Sequence, residues 1–118
     1  MSQQLTLPAT TSMVPVARHG VAALLPRFGR LADVELIVTE LVVSAIRSAD
    51  AHFTVTVEHS TNVRVEIRDQ RGRHPRADAM HLDPDAPDGL AIVSAVADRF
   101  GSRRHRSGDV TTWAVVSP

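Results

Sequence analysis

The sequence has no cysteine and no tyrosine, and only 3 % of its 118 residues are aromatic. Without cysteine, disulfides and thiol chemistry are excluded, and a reducing cytoplasm is the expected compartment. So few aromatic side chains argue against modules that bind nucleic acid by stacking bases on rings. The formal net charge is zero, so no overall attraction to nucleic acid or to an anionic membrane is expected.

The sequence also lacks long apolar runs. No stretch approaches the roughly 20 residues of a membrane helix. The N-terminus, MSQQLTLPATT, has no basic region followed by an apolar run, so no signal peptide is predicted. Hydrophobic residues make up 43 % of the chain, enough for one packed core, and the length fits a single domain over residues 1–118. We therefore expect a cytoplasmic protein without membrane contact.

One stretch organises the rest, residues 33–49 (DVELIVTELVVSAIRSA). At helical spacing its apolar side chains cover most of the circumference, which is typical of a helix in the middle of a domain. Its polar residues share one narrow stripe, because residues three, four and seven apart lie on the same face. The stripe is either the solvated edge of a core helix or a surface that presents a carboxylate and hydroxyls to a ligand. It comprises Asp33, Glu40, Ser44, Arg47 and Ser48.

Two alternating runs follow, residues 52–59 (HFTVTVEH) and 63–69 (VRVEIRD), separated by a short polar turn. Strict alternation of apolar and polar residues predicts a β-hairpin with one buried face. The period places Asp69 on the same face as Val65 and Ile67, so a carboxylate at the end of the second strand points toward the core. The alternative is that the strand ends at Arg68 and Asp69 begins the loop.

The remaining segments complete a two-layer pattern. Residues 5–9 form an edge strand ending near Pro8, and a helix capped by Ser12 ends near Pro26. Residues 70–87 form a long loop of the kind that is often a lid. A helix over residues 88–100 then buries Phe100, and residues 102–106 and 110–116 form a second hairpin. The predicted class is α+β: a mostly antiparallel sheet covered on one face by about three helices.

Five blocks of this sequence, in this order, resemble the ATP-binding domain of the GHKL superfamily, which includes histidine kinases and type II topoisomerases. The match is nearest to the small bacterial anti-sigma factors that are also serine/threonine protein kinases, and to short ATP-binding regulatory proteins of actinobacteria. The blocks are residues 40–45 (ELVVSA), 65–69 (VEIRD), 88–93 (DGLAIV), 97–101 (ADRFG) and 111–114 (TTWA).

The resemblance implies roles for individual residues. Glu40 matches the general base that acts on the attacking hydroxyl or water. Asp69 matches the aspartate that accepts a hydrogen bond from the adenine amino group. Gly89, followed by Leu90, matches the second glycine of the phosphate loop, and Thr112 matches a threonine of the adenine pocket. Residues 70–87 match the lid over the triphosphate, so ATP or ADP is the expected ligand.

The sequence departs from the family where metal and phosphate are bound. Ser44 replaces an asparagine that coordinates Mg²⁺, and a serine hydroxyl is a shorter ligand for that ion. Ser48 replaces a histidine. Pro87 replaces the first glycine of the phosphate loop, and proline has no N–H to offer a phosphate. A glycine expected two residues after Asp69 is Arg71. Adenine recognition is therefore better preserved than metal and phosphate recognition.

The resemblance implies a regulatory protein that binds a sigma factor, exchanges it for an antagonist, forms homodimers and transfers the γ-phosphate of ATP to a serine of the antagonist. The departures keep open a second hypothesis, a non-catalytic protein-binding module with weak or no nucleotide binding. A third is nucleic-acid binding through Arg103, Arg104 and Arg106, which zero net charge and few aromatics disfavour. That basic run is otherwise a solvated turn, a partner contact or a phosphate contact.

Overall fold

The computed structural model describes residues 1–70 and 90–118. Eight elements follow one another along these residues. They are β1 (Ser2–Pro8), α1 (Met13–Ala23), α2 (Leu31–Ser48), β2 (His52–His59), β3 (Val63–Asp69), α3 (Leu90–Val96), β4 (Arg99–Arg104) and β5 (Val110–Val116).

The strands form one sheet in the order β1-β2-β3-β5-β4, and every neighbouring pair is antiparallel. The three helices of the described residues pack on one face of it. The predicted α+β two-layer architecture is confirmed. The last two strands enter the sheet in reverse order, so β5 lies beside β3 and β4 forms the outer edge.

The alternating pattern of the hairpin decides which sheet face is buried. Phe53, Val55 and Val57 of β2 point toward the helices, and the predicted bounds of both strands agree with the structure. The β3 side chains on the same face are paired with them across the ladder, Val55 opposite Ile67 and Val57 opposite Val65. Phe53 is fully buried and is among the largest side chains of the core.

Helix α2 lies over the middle of the sheet, as its apolar circumference predicts. It starts at Leu31, two residues before the predicted start, and ends at Ser48. The polar stripe lies along its flank: Glu40 and Ser44 are half-buried, whereas Arg47 is exposed. The side chains of α2 that are buried in the core are Val34, Ile37, Val38, Leu41, Val42 and Ala45.

The N-terminal elements differ from the prediction in detail. The edge strand starts at Ser2 rather than at residue 5, because its backbone pairs with β2 as far as Glu58. Helix α1 ends at Ala23, before Pro26. Ser12 occupies the position before the first helical residue, but its side chain makes no capping hydrogen bond; its hydroxyl instead contacts the Thr10 hydroxyl at 3.0 Å.

The prediction of one helix over residues 88–100 was wrong at its C-terminal end. Helix α3 stops at Val96, and Arg99 already belongs to β4. The Asp98 backbone N–H donates to the Val115 carbonyl at 2.9 Å, so the chain joins the sheet ladder instead of continuing the helix. Phe100 is therefore not buried on a helix face; it is a strand residue with 41 % of its surface exposed.

Candidate functional site

Asp69 is the only charged residue buried within the described part of the chain, with 4 % of its surface exposed. It ends β3, and its cross-strand neighbours are Phe53 on β2 and Val110 on β5. Because Phe53 faces the helices, Asp69 does so too. The predicted inward orientation of this carboxylate is confirmed, and the alternative that the strand ends at Arg68 is wrong.

The Asp69 carboxylate is part of the sheet as well as a candidate ligand group. Its Oδ1 accepts a hydrogen bond from the Val110 backbone N–H at 3.1 Å. A carboxylate offers about four lone-pair sites and can accept from several donors at once.

The C-terminal end of α2 is tied to the same end of the sheet. The Asp50 N–H donates to the Gln70 carbonyl at 2.7 Å, and the Gln70 N–H donates to the His52 carbonyl at 3.2 Å. The last turns of α2, with Ser44 and Ser48, therefore lie at the end of β3 that carries Asp69. The Ser48 hydroxyl contacts the Ser44 carbonyl at 3.4 Å.

Glu40 lies one turn before Ser44, about 6 Å along the helix axis. Its side chain is half-buried, and it makes no hydrogen bond or ion pair with any other residue in the ranges 1–70 and 90–118. The two polar side chains thus follow the flank of α2 toward Asp69. A carboxylate in this position has capacity to accept a proton from a bound hydroxyl or water.

Thr112 lies on the helix-facing side of β5. It pairs with Ile67 of β3 and with Ser102 of β4, and it is half-buried. Because side chains alternate along a strand, Thr112 shares this face with Val110, the direct neighbour of Asp69. The structure therefore brings Thr112 to within two positions of Asp69 in adjacent strands.

Leu90 is the first residue of α3; it is half-buried and packs against the core. Gly89, Pro87 and all of the predicted lid over residues 70–87 except Gln70 lie outside the described residues, so the phosphate loop and the lid stay predictions. Helix α3 spans about 10 Å. Its first turn therefore lies about 10 Å from Val96. The Val96 carbonyl accepts a hydrogen bond from Arg30, the residue before α2.

A cluster around Arg30 joins the start of α2 to the far end of α3. The Arg30 guanidinium donates to the Asp33 carboxylate and the Asp98 carboxylate at 2.9 Å each, and to the Val96 carbonyl at 2.9 Å. It also reaches the Ser117 carbonyl at 3.3 Å. The sequence analysis missed this cluster, because no pattern relates Arg30 to residues that follow more than 60 positions later.

The cluster shifts the ionisation of its members. The hydrogen bond to Asp33 raises the pKa of Arg30 above its ordinary value, with a further contribution from Asp98. The Ser117 backbone N–H, which donates to Asp98 Oδ2 at 2.7 Å, lowers the pKa of Asp98, and Arg30 lowers it further. Both charges are therefore stabilised where α2, α3 and β5 meet.

The described residues contain few groups that could ligate a metal ion. Across residues 1–70 and 90–118, no three histidine, aspartate or glutamate side chains are grouped so that they could hold a metal ion. Near Glu40 the only predicted metal ligand is the Ser44 hydroxyl, and Mg²⁺ in nucleotide sites depends on carboxylates together with substrate phosphates.

The sheet face remote from the helices forms a second polar surface, a concavity of about 630 Å³. Arg64 lies over the Trp113 ring at 4.5 Å and pairs with Glu66 at 2.8 Å. Arg68 pairs with Asp109 at 3.1 Å. The alternation of β3 predicted that these arginines point outward, but only the strand order places Trp113 between them.

No helix in the described ranges has the length and apolar character required to cross a membrane.

No protein-family model and no curated protein sequence matches this chain. Among solved structures, the chain is similar to the crystal structure of the RsbU and RsbW domains of Rv1364c from Mycobacterium tuberculosis. The two share 20 % sequence identity with a TM-score of 0.72 over 99 % of this chain.

The chain covers 32 % of that structure's chain, so it spans about a third of the length of the protein that it matches. At this identity the similarity establishes the fold alone. The five-stranded antiparallel sheet with its three packed helices is a fold that this solved structure also contains. The predicted α+β two-layer fold is therefore confirmed, and membership of the GHKL superfamily stays a prediction.

Proposed function

We propose that this chain is a cytoplasmic ATP-binding regulatory protein of the anti-sigma-factor type. The observation that carries the proposal is the buried, inward-facing carboxylate of Asp69 at the end of β3, the end of the sheet to which the C-terminus of α2 is tied. A nucleotide would lie between α2 and this end of the sheet. Its adenine amino group would donate to Asp69, with Thr112 lining the same pocket.

The specificity of this site would come from the Asp69 carboxylate, which accepts hydrogen bonds and matches a donor group on the ligand. A buried group that is built to hydrogen-bond a ligand rejects analogues that lack the matching group. Adenine has an amino group where guanine has a carbonyl oxygen. In a bound guanine this oxygen, itself an acceptor, would lie opposite the Asp69 carboxylate. ATP and ADP should therefore bind, and GTP should not.

The catalytic proposal concerns Glu40. A serine hydroxyl of an antagonist would attack the γ-phosphorus; the new O–P bond forms as the bond to the β–γ bridging oxygen breaks, and ADP leaves. Glu40 would accept the hydroxyl proton. Gly89 and Leu90 would contribute the start of α3 to phosphate binding. When bound, Mg²⁺ would neutralise the charge of the triphosphate. Ser44 is the residue of α2 that would ligate the ion.

The partners would be a sigma factor, bound in one state, and the antagonist that displaces it, with the regulator acting as a homodimer. A second candidate function is a protein-binding module that has lost catalysis. Its support is the sequence of α2, where Ser44 stands at the position of the predicted metal ligand. The two candidates share the fold and the partners but differ in nucleotide affinity.

The experiment is calorimetric titration of ATP, ADP, adenosine and GTP into the purified protein, with and without Mg²⁺. The test variant is Asp69→Asn, which preserves shape but turns one acceptor into a donor. The matched control is Asp50→Asn, the same change at an exposed aspartate close to Asp69 in the fold. Micromolar adenosine and ATP binding that Asp69→Asn abolishes and Asp50→Asn preserves supports the adenine site.

Transfer is tested with Glu40→Gln against Glu35→Gln on the same helix, using purified candidate antagonists and labelled ATP. Retained ATP binding without transfer in Glu40→Gln alone identifies the base. Folded protein that gives no heat with millimolar nucleotide refutes the ATP-binding proposal. Measurable affinity for a purified sigma factor under that condition supports the non-catalytic module.

A further inference from the structure

The two edges of the sheet differ in charge. Strand β1 at one edge (SQQLTLP) contains no charged side chain, whereas β4 at the other (RFGSRR) carries three arginines and no acidic residue. Every β4 residue except Gly101 is exposed. Because an edge strand pairs on one side only, part of its backbone N–H and C=O groups point away from the sheet.

The arginines of the open sheet face fall into two classes. Arg64 and Arg68, on the interior strand β3, are compensated by Glu66 and Asp109. On β4, the cross-strand neighbours of Arg99 and Arg103 are Val115 and Thr111, which carry no charge. Neither edge arginine forms an ion pair within residues 1–70 and 90–118.

The spacing of the edge arginines matches an extended ligand. Arg99 and Arg103 lie on the same face of β4, four residues and therefore about 13 Å apart. Between them the indole of Trp113 packs against the backbone of Gly101. On the opposite face Phe100 exposes 41 % of its surface. Arginines alone would protect an edge from unwanted pairing, but a half-exposed phenylalanine at the same edge would not.

We propose that the outer edge of β4, the last strand of the sheet formed by residues 1–70 and 90–118, is a docking site for an extended acidic segment of a partner protein, which pairs with it as an added strand. Acidic side chains of the segment would meet Arg99 and Arg103 on the open face. Apolar side chains at the alternate positions would pack on Phe100. Backbone hydrogen bonds supply affinity in this mode, and alternate side chains supply specificity. The inference is independent of nucleotide binding at Asp69.

A single-stranded nucleic acid fits this surface less well. Base stacking requires an open aromatic face, and Trp113 is the only tryptophan, tyrosine or phenylalanine on this side of the sheet within the described residues. Its indole is covered by the Arg64 guanidinium and lies against Gly101. Arg99 and Arg103 also lie on the edge strand, where a neighbouring strand can reach them.

The test measures fluorescence anisotropy of the full chain with labelled peptides of about seven residues, the length of an average strand. The probe alternates glutamate with valine. Three comparison probes replace every glutamate by glutamine, replace every glutamate by lysine, or carry N-methyl groups on alternate backbone amides. Binding of the glutamate peptide at low salt, weakened at least tenfold in the glutamine and N-methyl peptides, is the expected result.

Charge reversal on the protein supplies the second arm. Arg99→Glu/Arg103→Glu should lose the glutamate peptide and gain affinity for the lysine peptide. Arg27→Glu, an exposed arginine outside the sheet, is the control and should leave both affinities unchanged. Thermal melts establish that each variant is folded.

Three results would overturn the proposal: no binding of the glutamate peptide, binding that survives N-methylation, or binding that survives the double reversal. Tighter binding of oligothymidine than of the peptide would overturn it in favour of nucleic acid.

Discussion

The indole of Trp113 lies so close to Gly101 that a Cβ added at position 101 would stand 2.7 Å from its Cζ2 and 2.9 Å from its Cε2. These residues are direct neighbours on β5 and β4, so a side chain at 101 would occupy the volume of the ring. The Arg64 guanidinium lies over the ring. The only tryptophan of the chain is thus fixed by a glycine and an arginine from the strands on either side.

Replacing this glycine should displace the ring. We expect Gly101→Ala to lower the free energy of unfolding by about 1–3 kcal/mol, the usual cost of overpacking a closely fitted site. Urea titration measures that loss, and the emission maximum of Trp113 reports the displacement. The cost should be smaller in a Trp113→Val background, where the clash is absent. Equal losses in both backgrounds would contradict the steric explanation.

The Asp69 side chain should contribute to stability as well as to binding. Asp69→Ala removes the acceptor of the Val110 N–H, and leaving a buried donor unpaired costs about 1–3 kcal/mol. Asp69→Asn keeps an acceptor oxygen in the same place and should cost less. Unfolding of both variants in urea, beside the exposed control Asp50→Ala, gives the comparison. An alanine variant as stable as the asparagine variant would show that this bond contributes little.

The metal position on α2 offers a gain-of-function test of the proposed site. Ser44→Asn places an amide oxygen farther from the helix axis than the serine hydroxyl reaches. The resemblance implies an Mg²⁺ ligand at that place. ATP should then bind roughly tenfold more tightly with Mg²⁺ than without it, a difference of about 1.4 kcal/mol. Calorimetry in both buffers measures the ratio. An unchanged ratio, with ATP still bound, would show that Ser44 does not face the triphosphate.

The Asp98 carboxylate should make stability depend on acid. Its pKa is lowered from the ordinary 3.8, first by the Ser117 N–H and then by Arg30, so the folded chain favours the charged form. The contribution of the charged Asp98 to the free energy of unfolding is present at pH values above the pKa of the unfolded state. It is lost as the pH falls through the lower pKa of the folded state. Asp98→Asn should therefore destabilise the protein at neutral pH, with a deficit that shrinks below about pH 4.

Urea midpoints of the wild type and Asp98→Asn across that range check this expectation. The control is Asp109→Asn, because Asp109 pairs with Arg68 on the open face. It shows how the loss of an ion pair outside the Arg30 cluster changes the urea midpoint over the same pH range. A deficit in Asp98→Asn that stays constant from neutral to acid pH would mean that the carboxylate charge is not what stabilises the cluster.

Local pattern predicted the elements well where each one has a buried face of its own. The hairpin of β2 and β3 has the predicted bounds, because a two-residue period with one buried face fixes the register. Prediction failed at residues 97–100, where helical spacing of apolar residues continues past the true end of α3. There, a backbone hydrogen bond from Asp98 to Val115 outweighs local propensity.

The amino-acid sequence by itself determined the two-layer class, the central position of α2 and the inward side of Asp69, since each depends on hydrophobic period within one segment. Only the tertiary structure decided the order β3-β5-β4. With that order came the Val110 bond to Asp69, the Trp113 contact with Gly101 and the uncharged cross-strand neighbours of Arg99 and Arg103. The Arg30 cluster likewise required the assembled fold. These contacts join residues far apart in the chain, and no local period carries information about which distant groups the packed core brings together.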